Sequence, residues 1–167
     1  RGEVVTMETD WFTLREARLQ LAPYTYPHMP VAVASTFSPA GPKAAGKHGV
    51  GLLSVSTSQP GGLITVARSW QWAEEAAAEH GQTISRDNWR LLLPFHLADS
   101  KAEAMKDIGE GREYFYRKYY QEALGTQPHP DGNSIEAAVE RGEVIVGTPD
   151  DAIEAIERLF ELSGGFG

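Results

Sequence analysis

Val31-Ala32-Val33-Ala34-Ser35-Thr36-Phe37-Ser38-Pro39-Ala40-Gly41-Pro42-Lys43-Ala44-Ala45-Gly46-Lys47-His48-Gly49 is the stretch on which the fold turns. Residues 31–35 are a short, continuously apolar run, the pattern of a strand buried on both faces in a parallel sheet. Ser38 and Pro39 make a good helix start, with serine as N-cap and proline at the first helical position. The helix runs through Ala44-Ala45 and stops at Gly49. A strand that passes through a small-residue loop into a helix is one βα unit.

The pattern repeats downstream. Residues 51–56 read as a second buried strand, followed by a Gln59-Pro60-Gly61-Gly62 loop. Residues 63–80 form an amphipathic helix with Leu63, Val66, Ala67, Trp70, Ala73 and Ala77 on one face and Gly81 after its end. Residues 89–97 are a third strand. Ser100 caps a long helix over residues 101–124, with Met105, Ile108, Phe115 and Tyr119 on its inner face. Residues 125–134 are a loop, and a short helix lies near 134–141. Residues 144–147 are either a strand or a loop. Thr148-Pro149-Asp150 opens a last amphipathic helix whose inward residues are Ile153, Ile156, Leu159 and Phe160, ending at Gly164-Gly165. Upstream, residues 1–23 read as a β-hairpin, with strands at 4–7 and 17–21 and a turn at Glu8-Thr9-Asp10, and Pro23, Pro27 and Pro30 mark an extended linker. The alternation of strands and helices predicts an α/β fold with parallel strands and right-handed crossovers.

Composition narrows the function classes. The chain has 167 residues, 41% hydrophobic and 23% charged, enough for a domain with a real core. No apolar run reaches the ~18 residues of a membrane span, and Arg1-Gly2-Glu3 does not open a secretory leader. The absence of cysteine removes disulfides and thiolate chemistry and fits a reducing, cytoplasmic compartment. A net charge of -8 does not favour nucleic acid or an anionic membrane. The five histidines form no HxxxH or HxH pair, so no metal site is expected.

The loop Ser38-Pro39-Ala40-Gly41 carries the chemistry. The first-turn amides of Ala40 and Gly41 lack intrahelical partners, the helix dipole adds positive charge, Ser38 adds a hydroxyl, and Gly41 has no side chain to block close approach. Together these make a phosphate site at the carboxyl end of a parallel strand. By itself, a serine-proline helix start is more often an ordinary cap with no ligand.

Several segments together resemble the luciferase-like flavin monooxygenases, particularly the branch of limonene and alkane monooxygenases. They are Thr9-Asp10-Trp11-Phe12 with Ala17-Arg18-Leu19-Gln20-Leu21, Val31-Ala32-Val33-Ala34, Ser38-Pro39-Ala40-Gly41 with Ala45-Gly46-Lys47-His48-Gly49, Gly51-Leu52-Leu53-Ser54, and Gly147-Thr148-Pro149-Asp150. The resemblance implies part of a TIM (β/α)8 barrel. Residues 1–167 would be one domain forming the C-terminal-half portion of that barrel, with 1–23 a hairpin insertion and 31–167 its βα units. It implies an oxidoreductase, a flavoprotein monooxygenase using reduced FMN and dioxygen on an apolar organic substrate, with a flavin reductase as a possible partner. Ser38, Ala40 and Gly41 would hold the flavin phosphate, and Ser54 would lie near the isoalloxazine ring. The family's acidic residue in the phosphate loop is replaced by Phe37, and a hydroxyl residue there is replaced by Gly41. Val55 stands where bacterial luciferase has a tryptophan, so no stacking role carries over. The same barrel also serves deazaflavin (F420) oxidoreductases, which transfer hydride without oxygen, and a catalytically inert piece that binds no flavin is the third reading. Strand edges of a partial barrel invite association, so homo-oligomers are expected.

Other candidates are weaker. His96 follows Leu93-Pro94-Phe95 near a strand end, where catalytic groups sit in barrels, although a half-buried structural histidine fits better. His48 and Lys47 read as structural and solvated residues. The aromatic run at 114–120 reads as core packing, or as a helix over the barrel mouth or against a partner subunit. Glu74-Glu75 and Asp150-Asp151 read as a solvated face and a helix first turn, not as catalytic dyads.

Overall fold

A computed structural model describes residues 3–21, 23–26, 28–55 and 62–167. The expected loop at Gln59-Pro60-Gly61-Gly62 lies outside the described residues except for Gly62, as do Ser56 and Pro27. Two compact units are present, Arg1–Val31 and Ala32–Gly167.

In the first unit, β1 (Val5–Glu8) pairs antiparallel with β2 (Thr13–Ala17). The second strand therefore comes earlier than the alternation at 17–21 predicts. Thr9 explains the shift. Its hydroxyl accepts the Phe12 amide at 3.0 Å, and its own amide donates to the Phe12 carbonyl at 2.9 Å, so the chain reverses within four residues.

The second unit is built of parallel strands and helices. Strands β3 (Ala32–Ser35), β4 (Gly51–Ser54) and β5 (Trp89–Leu91) form one ladder in that order. Strand β6 (Phe95–Leu97) pairs in parallel with β7 (Ile145–Gly147). The strand expected over 89–97 is thus two strands with different neighbours. Leu92 still donates to the Ser54 carbonyl at 2.9 Å, while the Pro94 carbonyl accepts from Ile145 at 3.0 Å. Proline has no amide for a ladder, and the change of neighbour falls where that donor is missing. The segment 144–147, open on the sequence, is a strand whose residues Ile145–Gly147 are all buried. No closed barrel is formed among the described residues.

Helices α1 (Ala40–His48) and α2 (Gly62–Glu79) cover one face of the three-stranded ladder. Val33, Leu52 and Trp89 share that face by register, and pack with Ala45, Val66, Trp70 and Ala73. Gly46 sets the distance between the two helices. A Cβ there would sit 2.1 Å from the Ala73 carbonyl oxygen, so only glycine allows this approach. The opposite face is open: Ala34 is exposed and Leu53 half-buried, so β3 is not buried on both sides as its sequence implies. It is an edge strand of this ladder.

Helix α3 (Lys101–Phe115) and α4 (Ile135–Glu140) cover β6 and β7 through Ala104, Ile135, Ala138, Val144 and Val146. The long helix expected over 101–124 changes character at Tyr116, where π-helical turns run through Ala123. Phe115 and Tyr119, expected on the inner face, are 54% and 48% exposed. Their rings stack on each other at 5.3 Å instead of entering the core. Helix α5 (Pro149–Ser163) buries Leu159, whereas Ile153, Ile156 and Phe160 stay exposed. An apolar stripe three residues wide has only part of its expected partner surface here.

Arg86 ties α5 to the first ladder. Its guanidinium lies 5.0 Å from the Trp70 ring and 5.4 Å from the Trp89 ring, and donates to the carbonyls of Ser163 at 2.8 Å and Gly165 at 2.9 Å. A cation beside the stacked pair of indoles that also meets carbonyls at the end of α5 satisfies groups otherwise stranded there.

Candidate functional site

The carboxyl end of β3 leads into the N-terminus of α1. Pro39 is the cap residue, in helical conformation, and no side chain bonds to the first turn. Ser38 therefore does not act as the N-cap its sequence position predicts, because the helical turn already begins at Pro39, whose carbonyl accepts from Lys43 at 2.9 Å. Ala40 and Gly41 have amides without an intrahelical acceptor, Pro42 has none to offer, and Ser38 is exposed beside them.

The starts of α3, α4 and α5 are closed. Ser100 accepts from Glu103 on α3, and Ser134 from Ala137 on α4. At α5 the closure is double: Thr148 accepts from the Asp151 amide, and Asp151 accepts from the Thr148 amide at 2.7 Å and hydroxyl at 2.8 Å. These hydrogen bonds hold the Asp151 carboxyl below the usual aspartate range. Gly147 makes room for that carboxylate, since a Cβ there would meet Asp151 Oδ2 at 2.4 Å. The Gly147-Thr148-Pro149-Asp150 segment thus folds as a self-satisfied cap.

Gly41 serves packing first. A Cβ on it would lie 2.8 Å from the Ser35 Cβ and 3.1 Å from the Ala34 carbonyl, so glycine lets α1 close onto β3. Ser54 is 0% exposed and its hydroxyl accepts from Trp89 Nε1 at 3.0 Å, on the face covered by α1 and α2. The Ser54 hydroxyl, expected near the flavin ring, points into the core instead. His96 pairs in register with Val146, which packs among the helices, and its Nε2 lies 3.8 Å from Asp107 of α3. That places His96 on the helix-covered side, away from the open face where Phe95 and Leu97 stand exposed. Only Ser38, Ala40 and Gly41 come together of the expected site residues.

A buried ion cluster was not read from the sequence. Glu143 is 2% exposed and accepts from Arg141 through two nitrogens, at 2.5 and 3.3 Å, with Arg112 Nη2 at 3.6 Å. The Arg141 guanidinium is held protonated even more firmly than usual by its hydrogen bond to Glu143. The Tyr116 phenol is pushed up by burial and then by the Glu143 charge. The signal was present: Glu143 directly precedes Val144-Ile145-Val146, and a carboxylate leading a buried strand needs a partner.

Residues 1–165 match the family model described as luciferase-like monooxygenase. The chain belongs to the luciferase-like monooxygenase family. It is 42% identical over 167 residues to limonene 1,2-monooxygenase of Rhodococcus erythropolis, covering 99% of this chain and 43% of that protein. This family member thus spans under half the length of that curated relative. Its fold matches the oxygenating constituent of 3,6-diketocamphane monooxygenase from Pseudomonas putida, a type II Baeyer-Villiger enzyme solved with FMN, at TM-score 0.75 and 26% identity, over 99% of this chain and 50% of that one. An F420-dependent secondary alcohol dehydrogenase shares the fold at TM-score 0.64 and 19% identity, over 99% of this chain and 49% of that one.

Proposed function

We propose that the family member described above supplies the flavin-phosphate cradle of an FMN-dependent monooxygenase whose remaining strands close the barrel. One observation carries the reading: α1 is uncapped where α3, α4 and α5 are capped, and it opens at the carboxyl end of a parallel strand. Two free amides at Ala40 and Gly41, the Ser38 hydroxyl and the helix dipole fit a dianionic phosphate. Gly41 sets the position by letting the helix seat against Ser35. Ser54 supports the strand end by its bond to Trp89, leaving any contact with the ring to the backbone it positions.

Reduced FMN, when bound, supplies the two electrons with which dioxygen delivers one atom to substrate and the other to water. The chain's part is to bind and to exclude water. Leu53, Phe95 and Leu97 line the face opposite the helices, an apolar wall suited to an apolar organic substrate. Electrons would come from a separate flavin reductase, and no helix among the described residues is long and apolar enough to cross a membrane.

Flavin fluorescence titrations with FMN, riboflavin and F420 test this reading on the chain and on any longer protein that contains it. FMN should bind at least tenfold more tightly than riboflavin, which lacks the phosphate. Equal affinity for FMN and riboflavin would overturn the cradle. Preference for F420, with hydride transfer and no oxygen uptake, would assign the deazaflavin chemistry instead.

A further inference from the structure

A second cavity lies at the other end of the strands. Pro94 and Val144 form part of its wall, and they precede β6 and β7, whereas the α1 N-terminus follows the carboxyl end of β3. The cavity measures about 610 Å³, within the range of small-molecule sites. Ile108, Phe115, Tyr116, Tyr120 and Leu124, from α3, the π-helical turns and the residue after them, form a second part, and the loop at 126–130 a third. Tyr116 and Tyr120 stack at 5.0 Å, and Phe115 meets Tyr120 edge-on at 5.9 Å, so the wall is aromatic. π-Helical turns are frequent at functional sites, and these turns place both tyrosines on the cavity.

Charge selects the occupant. Two guanidinium groups face one buried carboxylate in the Arg112–Glu143–Arg141 cluster, which leaves a surplus positive charge. Arg141 takes both Glu143 oxygens, whereas Arg112 stands at 3.6 Å, outside hydrogen-bond reach. Arg112 is 15% exposed, lines the cavity, and so offers unspent N–H donors there. No lining residue is acidic, in a chain whose net charge is -8. His129 also lines the cavity, with its Nδ1 within hydrogen-bond distance of the Asp131 amide at 3.1 Å.

We infer that this cavity binds a small aromatic carboxylate, its ring against Tyr116 and Tyr120 and its carboxylate on Arg112. The site lies apart from the proposed flavin cradle. Planar carboxylates pair with a guanidinium through two parallel hydrogen bonds, which gives the acid its advantage over a neutral analogue.

Isothermal titration with benzoate tests the inference, with benzyl alcohol as the uncharged control and cyclohexanecarboxylate as the non-aromatic one. Benzoate should bind at least about tenfold more tightly than benzyl alcohol, and several-fold more tightly than cyclohexanecarboxylate. Arg112→Gln should weaken benzoate about tenfold or more, and Arg112→Lys should recover part of the loss. Leu124→Trp places an indole at an exposed wall position away from the ion cluster, and should block binding even if Arg112→Gln proves unstable. Saturating FMN should leave benzoate affinity unchanged. Equal binding of acid and alcohol, indifference to both Arg112→Gln and Leu124→Trp, or displacement by FMN would each overturn the site.

Discussion

Helices α1 and α5 both begin at the carboxyl ends of parallel strands, α1 after β3 and α5 after β7, and their first-turn amides are met in opposite ways. At α5 the protein supplies its own anion, the Asp151 carboxylate, and Thr148 completes a closed ring of hydrogen bonds. At α1 it supplies none. The dipole is similar in both places, so the difference lies in what is left for something else to satisfy. A helix that closes itself is architecture, and one left open has room for a ligand's charge.

The strongest way to break the contrast is to close α1 as α5 is closed. Ser38→Asp puts a carboxylate where the phosphate is proposed to sit. Two like charges ~4 Å apart at an effective dielectric of ~20 repel by about 4 kcal/mol, so FMN affinity should fall by at least roughly 100-fold. The same change should raise thermal stability by about 0.5 kcal/mol, because a carboxylate beside the first turn is favoured by the helix dipole. Flavin titration and a denaturant melt on one variant measure both; unchanged FMN affinity would remove the ligand from the account of α1.

Next in size is Gly46→Val. The valine methyls would collide with the Ala73 carbonyl, and relieving that overlap should cost about 3 kcal/mol and shift the start of α1. Equilibrium denaturation gives the loss, and FMN affinity should fall with it. Thr148→Ala acts on the closed helix alone, lowering stability by about 1 kcal/mol without changing flavin affinity. A loss of FMN binding in that variant would mean that the two helix starts are not independent.

The smallest effect is electrostatic. Asp151 has its folded pKa depressed below the ordinary aspartate value of 3.8 by the Thr148 hydrogen bonds. Its contribution to stability is therefore present above that value and fades as pH falls through the lower folded pKa. Asp151→Asn should remove this contribution, so wild type and variant should converge in stability as acid protonates the wild-type carboxylate. Parallel curves of stability against pH for the two proteins would show that the carboxylate's charge contributes nothing at α5.

Much of this was legible in the residues, and the failures have identifiable causes. Pro39 and Gly49 bracket α1, and the spacing of Val66, Trp70, Ala73 and Ala77 gives α2, because punctuation and periodicity are local signals. Pro94 was visible, yet the three leucines before it read as one continuous strand, since a change of strand partner is set by tertiary pairing. The π-helical turns at Tyr116 leave no periodic mark in an aromatic run. Ser54 and His96 sit at strand ends as their positions imply, but the parity that decides which face each side chain takes follows from register, which one strand's sequence does not carry. Ser38 shows a finer limit: whether a serine caps its helix or stands free beside it depends on a single residue of offset in the first turn.

Arg86 bears on how the molecule forms. The bonds it makes to Ser163 and Gly165 join positions 77 and 79 residues apart. Closing a loop of that length costs entropy before it is rewarded, so α5 docking is expected late in folding. The two indoles that hold the guanidinium, with ring centroids 5.1 Å apart, are the natural place to watch it arrive. A refolding trace followed by tryptophan emission would then report the arrival of the chain's last helix, although neither tryptophan lies in it.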